Sequence, residues 1–304
     1  MILLWGIPGE SPFDAVRAEL AAANQDLVVL DQRAVGDWSI ELTTGKTSTG
    51  RLIGPRGAID LGAITAVYAR PYDPMAIPAV VAAGVGSRIA DHALGFHEAV
   101  RLWTELCSAR VVNKLSAMSS NGSKPYQLRL VRDAGFAVPP TLVTTDPAAA
   151  KAFLGKQKDA IYKSVSSIRS IVARVGADVT DERLAMVAGC PTQFQGYVAG
   201  TDVRVHVVGD RTFACEVSTT ATDYRYPAGA EVGRKLVDLP KDVADRCKAL
   251  AAKLDLPVAG IDLRRPDKKG DWTCFEVNPS PAFTYYDIDG AIAKAVAQLL
   301  GGTP

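Results

Sequence analysis

Apolar and polar positions along this chain recur on two periods, one suited to strands and one to helices. Ile2–Trp5 is a short apolar run followed by a Gly/Pro turn, and the stretch from about Pro12 to Ala23 is amphipathic at helical spacing. Leu27–Leu30 predicts a second strand, ending in Asp31-Gln32-Arg33. A polar, Gly-rich region follows, then the apolar Ala66–Ala69, a long helix from about Ser87 to Ser108, and the pair Val111-Val112. Such alternation favours an open, mostly parallel sheet covered by helices. One α/β lobe is therefore expected over residues 1–115, closing in the Ser/Asn/Gly-rich stretch Asn113–Gly122.

The pattern then changes. Lys124–Ala134 is helical and stops at Gly135, and Pro139-Pro140 leads into a strand at Thr141–Val143. Asp146-Pro147 opens another helix, since proline suits a first turn. Strands are expected at Ile161–Val165 and Ile171–Val175, with a helix near Asp181–Ala188. From Thr192 the pattern is largely strand: Gln193–Val198, Asp202–Val208 and Thr212–Ser218. A helix over Lys241–Leu254 precedes strands at Val258–Arg264 and Trp272–Val277, and Ile288–Leu300 closes the chain as a helix. These elements divide into segments 116–190 and 191–304, with no internal repeat or low-complexity tract.

The most informative stretch is VAGIDLRRPDKKGDWTCFEVNPSP, Val258–Pro281. Two apolar strands flank a turn-forming segment, which predicts a hairpin. A turn centred on Lys269 sets Asp262 opposite Glu276, and residues two apart on a strand share a face. Asp262, Glu276 and Asn278 then converge, while Ile261, Leu263, Phe275 and Val277 face the other way. Two carboxylates and an amide oxygen form a hard-oxygen set suited to magnesium. A solvated hairpin face fits the same spacing, and a one-residue shift of register would end the convergence.

In Asp202–Val208, Asp202, Arg204 and His206 alternate with valines, giving a strand with a polar face turned to solvent or to a cleft. Lys163 lies mid-strand, awkward for an ammonium without an anion. Lys124 begins a helix, where a cation opposes the dipole unless an anion is near. Gly45-Lys46-Thr47 imitates the end of a phosphate-binding loop, but the glycine required five residues earlier is Ile40. Gly84-Val85-Gly86 falls short of a dinucleotide fingerprint.

Charge and cysteine usage narrow the function classes. Lys plus Arg number 34 against 33 acids, so no net field draws the chain to nucleic acid or anionic membranes. The N-terminus lacks the pattern of a secretory signal and no apolar stretch is long enough to span a bilayer. Five scattered cysteines without a CxxC pair suit a reducing compartment and argue against zinc and a disulfide framework. His92 and His97 do not share a helical face and His206 is remote, which counts against a histidine metal centre. A cytoplasmic location is expected.

These pieces, in this order, resemble the ATP-grasp superfamily and within it the RimK- and glutathione-synthetase-like ligases. The resemblance runs from about Asn113 to the C-terminus and is weaker before it; its most specific part is GIDL combined with FEVNPSP. It implies an α/β fold with a pre-ATP-grasp lobe (1–115) followed by a central (116–190) and a C-terminal (191–304) ATP-grasp subdomain. It also implies ATP and Mg2+ as cofactors, Mn2+ being a substitute, with Asp262, Glu276 and Asn278 holding the metal. Gln195, Gly196, Tyr197 and Val198 correspond to the hinge that lines the adenine, where backbone groups near Gly196 and Val198 bond the base. Asp202 corresponds to the ribose contact, and Lys124 and Lys163 to the lysines on the phosphates. Arg204 and Arg225 match arginines that face the phosphates and the reacting carboxyl.

Three positions depart from the family pattern. The loop after Lys163 is Ser-rich (KSVSSIRS) rather than Gly-rich, so that Ser166, Ser167 and Arg169 would cradle phosphate. Gly196 stands where relatives often carry Glu, and Ala282 where they carry Gly after NxSP. The Ser-rich loop and the motifs LLWGIPGESP, LDQR and YARPYD resemble ligases that tailor ribosomal peptides, as in microviridin biosynthesis. The activity implied is ligation of a carboxylate to an amine, or less often a hydroxyl, through an acyl phosphate. Its substrates would be small molecules or peptides, and a homo-oligomer, dimer or tetramer, is compatible with it. An ATP-grasp phosphotransferase is a second reading, and a nucleotide-binding protein without catalysis a third. The intact Asp262/Glu276/Asn278 set and both lysines count against the third.

Overall fold

A strand with no polar alternation needs cover on both faces, and Ile2–Gly6 (β1) is buried at every position in this computed structural model. The chain continues through α1 (Ser11–Ala22), β2 (Leu27–Asp31), β3 (Ser39–Thr43), β4 (Thr49–Gly54), β5 (Gly57–Asp60) and β6 (Ala66–Ala69). Then come α2 (Pro78–Ala83), α3 (Arg88–Leu106), β7 (Arg110–Val112), α4 (Leu115–Met118), α5 (Lys124–Asp133), β8 (Thr141–Thr144) and α6 (Pro147–Leu154). Next are β9 (Ala160–Ser164), β10 (Ala173–Arg174), α7 (Asp181–Ala185), β11 (Thr192–Gly196), β12 (Thr201–Val208) and β13 (Arg211–Thr219). The chain ends with β14 (Val232–Val237), α8 (Lys241–Lys253), β15 (Val258–Arg265), β16 (Thr273–Asn278) and α9 (Ala291–Gly301). The structure describes residues 1–45, 48–165, 172–176, 179–219, 231–267 and 270–302. Among them no helix is long and apolar enough to cross a membrane.

The chain divides into two compact units. The first comprises Met1–Met118, Ala252–Ala259 and Pro279–Pro304, and the second Ser119–Ala251 and Gly260–Asn278. In the first unit a parallel sheet runs in the order β2-β1-β6-β7. Leu3, Trp5, Val28, Leu30 and Val67 pack on one side with Phe96, Val100 and Trp103 of α3. On the other side α1 lies against β1 and against α9, the last helix of the chain. In the polar, Gly-rich stretch after β2, β3, β4 and β5 form an antiparallel meander. Its signal was period-two alternation, with Leu52 buried and Ile40, Leu42 and Ile59 packed against the core. Asn113 is buried and closes this unit, donating to the Val258 and Pro279 carbonyls (2.6 Å each) and accepting from the Val258 N–H at 3.0 Å.

The second unit contains two sheets. One runs β10-β9-β11-β8, its pairs antiparallel. Phe194 and Tyr162 on one face pack with Ala150, Leu184 and Val187; Lys163, Gln193 and Gln195 lie on the opposite face. The other sheet runs β14-β13-β12-β15-β16. β14 escaped the sequence pattern because VGRKLV is mostly exposed at an edge, with no alternation to read.

Candidate functional site

β15 and β16 are antiparallel, with Gly260 opposite Asn278, Ile261 opposite Val277 and Asp262 opposite Glu276. The symmetric hairpin expected from the sequence put Asp262 and Glu276 in this relation. Beyond them the register shifts: Leu263 faces Cys274 and Arg264 faces Thr273, leaving Phe275 as the extra residue of a β-bulge. The expected apolar face therefore needs one correction. Ile261, Leu263, Cys274 and Val277 are fully buried, whereas the bulge turns Phe275 off that face and seats Cys274 there instead. Burial first, then nearby Cys247, Asp262 and Glu276, hold the Cys274 thiol well above its usual range, so it stays protonated and inert.

Both carboxylates meet cations. Asp262 pairs with the guanidinium of Arg204 on β12, and Glu276 lies 3.3 Å from the ammonium of Lys124. Arg204 is 6% exposed, Lys124 10%, and each carboxylate 17%. Lys124 is the first residue of α5, so Glu276 supplies the anion that a cation at a helix start needs. One turn later Gln127, buried on the same helix, bonds the backbone of Val277 through both amide atoms, at 2.8 Å each. Sequence reasoning missed Gln127, since a glutamine on an amphipathic helix carries no period-based signal.

The strand Asp202–Val208 was open between solvent and cleft. β12 sits inside the sheet, and Arg204 and His206 are buried, so its polar side faces the interior. Burial first, and then the charge of Arg204, hold the His206 imidazole well below its usual pKa, so it is neutral at physiological pH. Asp202 is engaged by Arg264, whose Nε and Nη2 donate to one carboxylate oxygen at 3.0 and 2.6 Å. The same guanidinium donates to the Val198 carbonyl at 2.6 Å and lies 5.7 Å from the Tyr197 ring centre and 5.2 Å from that of Phe275. Sequence analysis passed over Arg264, although it stands two residues after Asp262 and so shares its strand face.

β11 ends at Gly196, two residues before the end of the strand expected over Gln193–Val198. The Gly196 N–H donates to Pro140 O and the Tyr197 N–H to Asp159 O, both at 2.9 Å, so these bonds carry the pairings with β8 and β9 one step past their last paired residues. Arg174 stacks on Tyr197 at 4.0 Å from the ring centre. Lys163 is buried on β9 directly opposite Gln193 of β11. Gln195 donates to the Thr141 hydroxyl at 3.0 Å, while its own Oε1 and that of Gln193 have no partner among the described residues. Buried acceptors left open cost about 1–3 kcal/mol each, so each calls for a donor, whether water or a bound group. Ser166, Ser167, Arg169 and Arg225 lie outside the described residues.

Among the described residues no three His, Cys, Asp or Glu side chains cluster as a metal site. The donor set here is two carboxylates and the Asn278 amide, and it fits a hard divalent cation on chemistry and placement: both acids are partly exposed, stand opposite one another on paired strands and already attract positive charge.

No family model and no curated protein sequence matches the chain. Solved structures do. A RiPP-associated ATP-grasp ligase from Chryseobacterium gregarium, in complex with ADP and a leader and core peptide, superposes with a TM-score of 0.83 at 21% identity, covering 100% of this chain and 97% of that one. The ATP-grasp ligase PsnB, complexed with a minimal precursor variant, Mg and ADP, is 26% identical with a TM-score of 0.79 and 98% of both chains covered. The macrocyclase MdnC from Microcystis aeruginosa MRC, bound with its precursor peptide, matches at 18% identity and a TM-score of 0.82 over 99% of both chains. On these comparisons the chain is an ATP-grasp ligase, similar over its whole length to ligases solved in complex with precursor peptides.

Proposed function

We propose that this protein uses ATP to activate a peptide carboxylate as an acyl phosphate and passes the acyl group to an amine or hydroxyl of a peptide. The reading rests above all on the hairpin register that sets Asp262 beside Glu276, each against a cation, within a fold shared with peptide-modifying ATP-grasp ligases. Asp262, Glu276 and Asn278 would hold magnesium, which neutralises charge along the phosphates when bound. Lys124, Lys163 and Arg204 act on phosphate oxygens. In the ligand-free protein Lys124 and Arg204 are neutralised by the metal-site carboxylates, so nucleotide and metal exchange partners with existing ion pairs rather than entering a bare field.

The hinge accounts for base choice. Gly196 and Tyr197 spend their N–H groups within the fold, which leaves Val198 N–H to donate to the base. Gln195 Oε1 accepts from the exocyclic amine of adenine, a donor that guanine lacks at that position. Ribose binding at Asp202 draws that carboxylate away from Arg264. A substrate carboxylate then attacks the γ-phosphate, ADP departs, and the acceptor displaces phosphate. Arg204 and Arg225 stabilise the charge that develops. The segment 164–170, with Arg169, is the proposed cover that keeps water from the acyl phosphate. The described cysteines are all free, in keeping with a reducing cytoplasm.

The decisive experiment incubates the protein with ATP, Mg2+ and a library of acidic peptides, read by mass spectrometry. Products lighter by one water, with ADP release that needs the acceptor, support ligation. A stable phosphorylated product would instead identify a phosphotransferase, and no turnover with any peptide would remove the peptide reading.

A further inference from the structure

β16 carries two of the three proposed metal ligands and is the end strand of its sheet. An end strand has backbone N–H and C=O groups with no neighbouring strand, and such edges fray and slip. Here the outer edge is held at two points. On the turn side of the bulge, Ala137 donates to Trp272 O at 3.1 Å and accepts from Cys274 N–H at 2.9 Å. On the other side, Gln127 donates to Val277 O and accepts from Val277 N–H, 2.8 Å each. Its carboxamide thus takes the place of one residue of a missing strand. Val277 is the residue between Glu276 and Asn278, and Phe275 is the bulge residue between the two held points.

The bulge decides which way the ligands face. If the pairing Leu263–Cys274 continued without it, Asp262 would meet Phe275, Ile261 would meet Glu276 and Gly260 would meet Val277. Glu276 would then stand on the side that Ile261, Leu263 and Cys274 bury completely, and Phe275 would face Asp262. Backbone groups along a strand alternate in direction, so that slip would also turn the Val277 N–H and C=O towards β15. Gln127, 1% exposed, would lose both bonds at once.

We infer that Gln127 is a positioning residue that locks the register of β16, and with it the face on which Glu276 and Asn278 stand. It acts through Val277, to which both hydrogen bonds of its side chain run; Lys124, one turn earlier on α5, meets the Glu276 carboxylate itself. The inference rests on Asp262, Glu276 and Asn278 being the metal set, but register and metal binding are measured separately.

The test is Gln127→Met, which keeps the length of the side chain and removes the amide. Hydrogen exchange at the Val277 N–H is followed in the ligand-free protein, and the Mg2+ requirement of ADP binding is followed by calorimetry. With both bonds gone, Val277 exchange should speed up about tenfold or more, and the Mg2+ concentration at half-saturation should rise by a similar factor. ADP affinity in the absence of Mg2+ should stay as in the parent. Unchanged Val277 protection overturns the lock. Faster exchange with an unmoved Mg2+ requirement overturns the positioning role and leaves an ordinary edge cap. Should Gln127→Met fail to fold, Gln127→Glu keeps the acceptor for Val277 N–H and loses the donor, and the same two readouts decide. If Asp262→Asn leaves the parent's Mg2+ dependence untouched, the metal assignment fails, and Val277 exchange still decides the register lock by itself.

Discussion

Replacing Asp262 with asparagine removes the negative half of a pair whose positive half, Arg204, is 6% exposed. The side-chain shape is retained and the guanidinium keeps its place, now without the carboxylate it meets. Removing one partner of a buried pair costs about 3–5 kcal/mol. Asp262 is itself 17% exposed, which puts the expected loss at the lower end, about 3 kcal/mol. For a unit of this size that corresponds to a melting transition lower by roughly 6–12 °C. Urea denaturation without nucleotide, on Asp262→Asn, Arg204→Met and the double variant, measures it. The double variant should recover part of the loss, because it removes both charges of the pair together, and the cycle isolates the coupling. A loss below about 1 kcal/mol in Asp262→Asn, the level of an exposed pair, would refute the burial argument. The fold should survive, since small domains hold about 5–15 kcal/mol. ATP turnover should nevertheless vanish, because an uncharged amide at this position removes half the negative charge proposed to hold magnesium; full activity with magnesium present would sink that assignment.

Asp202→Ala should weaken ADP binding by about 1–3 kcal/mol, the scale of lost charge-assisted hydrogen bonds, and calorimetry giving an unchanged affinity would take Asp202 out of the nucleotide site. His206 gives a pH signature of known sign. Its folded pKa lies well below the unfolded value, so below about pH 6.5 the unfolded chain binds a proton that the folded chain refuses, and stability falls by up to about 1.4 kcal/mol per pH unit. Above that pH the contribution is full and flat. His206→Gln should flatten the acid limb in denaturation series at stepped pH, and an unaltered limb would show that another group governs it.

Much of this molecule was legible in the order of its residues. The alternation of strands and helices over residues 1–115 predicted a mostly parallel sheet covered by helices, and β1 and β6 are buried at every position, as strands covered on both faces are. The spacing of Asp262 and Glu276 about the turn predicted that they face one another, because a hairpin's geometry is local. The amphipathic spacing of α5 placed Lys124 at a helix start, where a cation asks for an anion.

What the sequence left open depends on contacts between residues far apart in the chain. The bulge at Phe275 depends on what lies along the free edge of β16, and its partners Gln127 and Ala137 come from more than a hundred residues earlier. The edge strand β14 shows no alternation, so its neighbour β13 rather than local pattern decides that it pairs. Arg264 reads as a surface residue beside Arg265 until the fold brings Val198, Asp202, Tyr197 and Phe275 around it. Local periodicity determines which face a residue occupies. Only tertiary structure decides what that face meets, and for Asp262 and Glu276 it is the guanidinium and the ammonium that neutralise them.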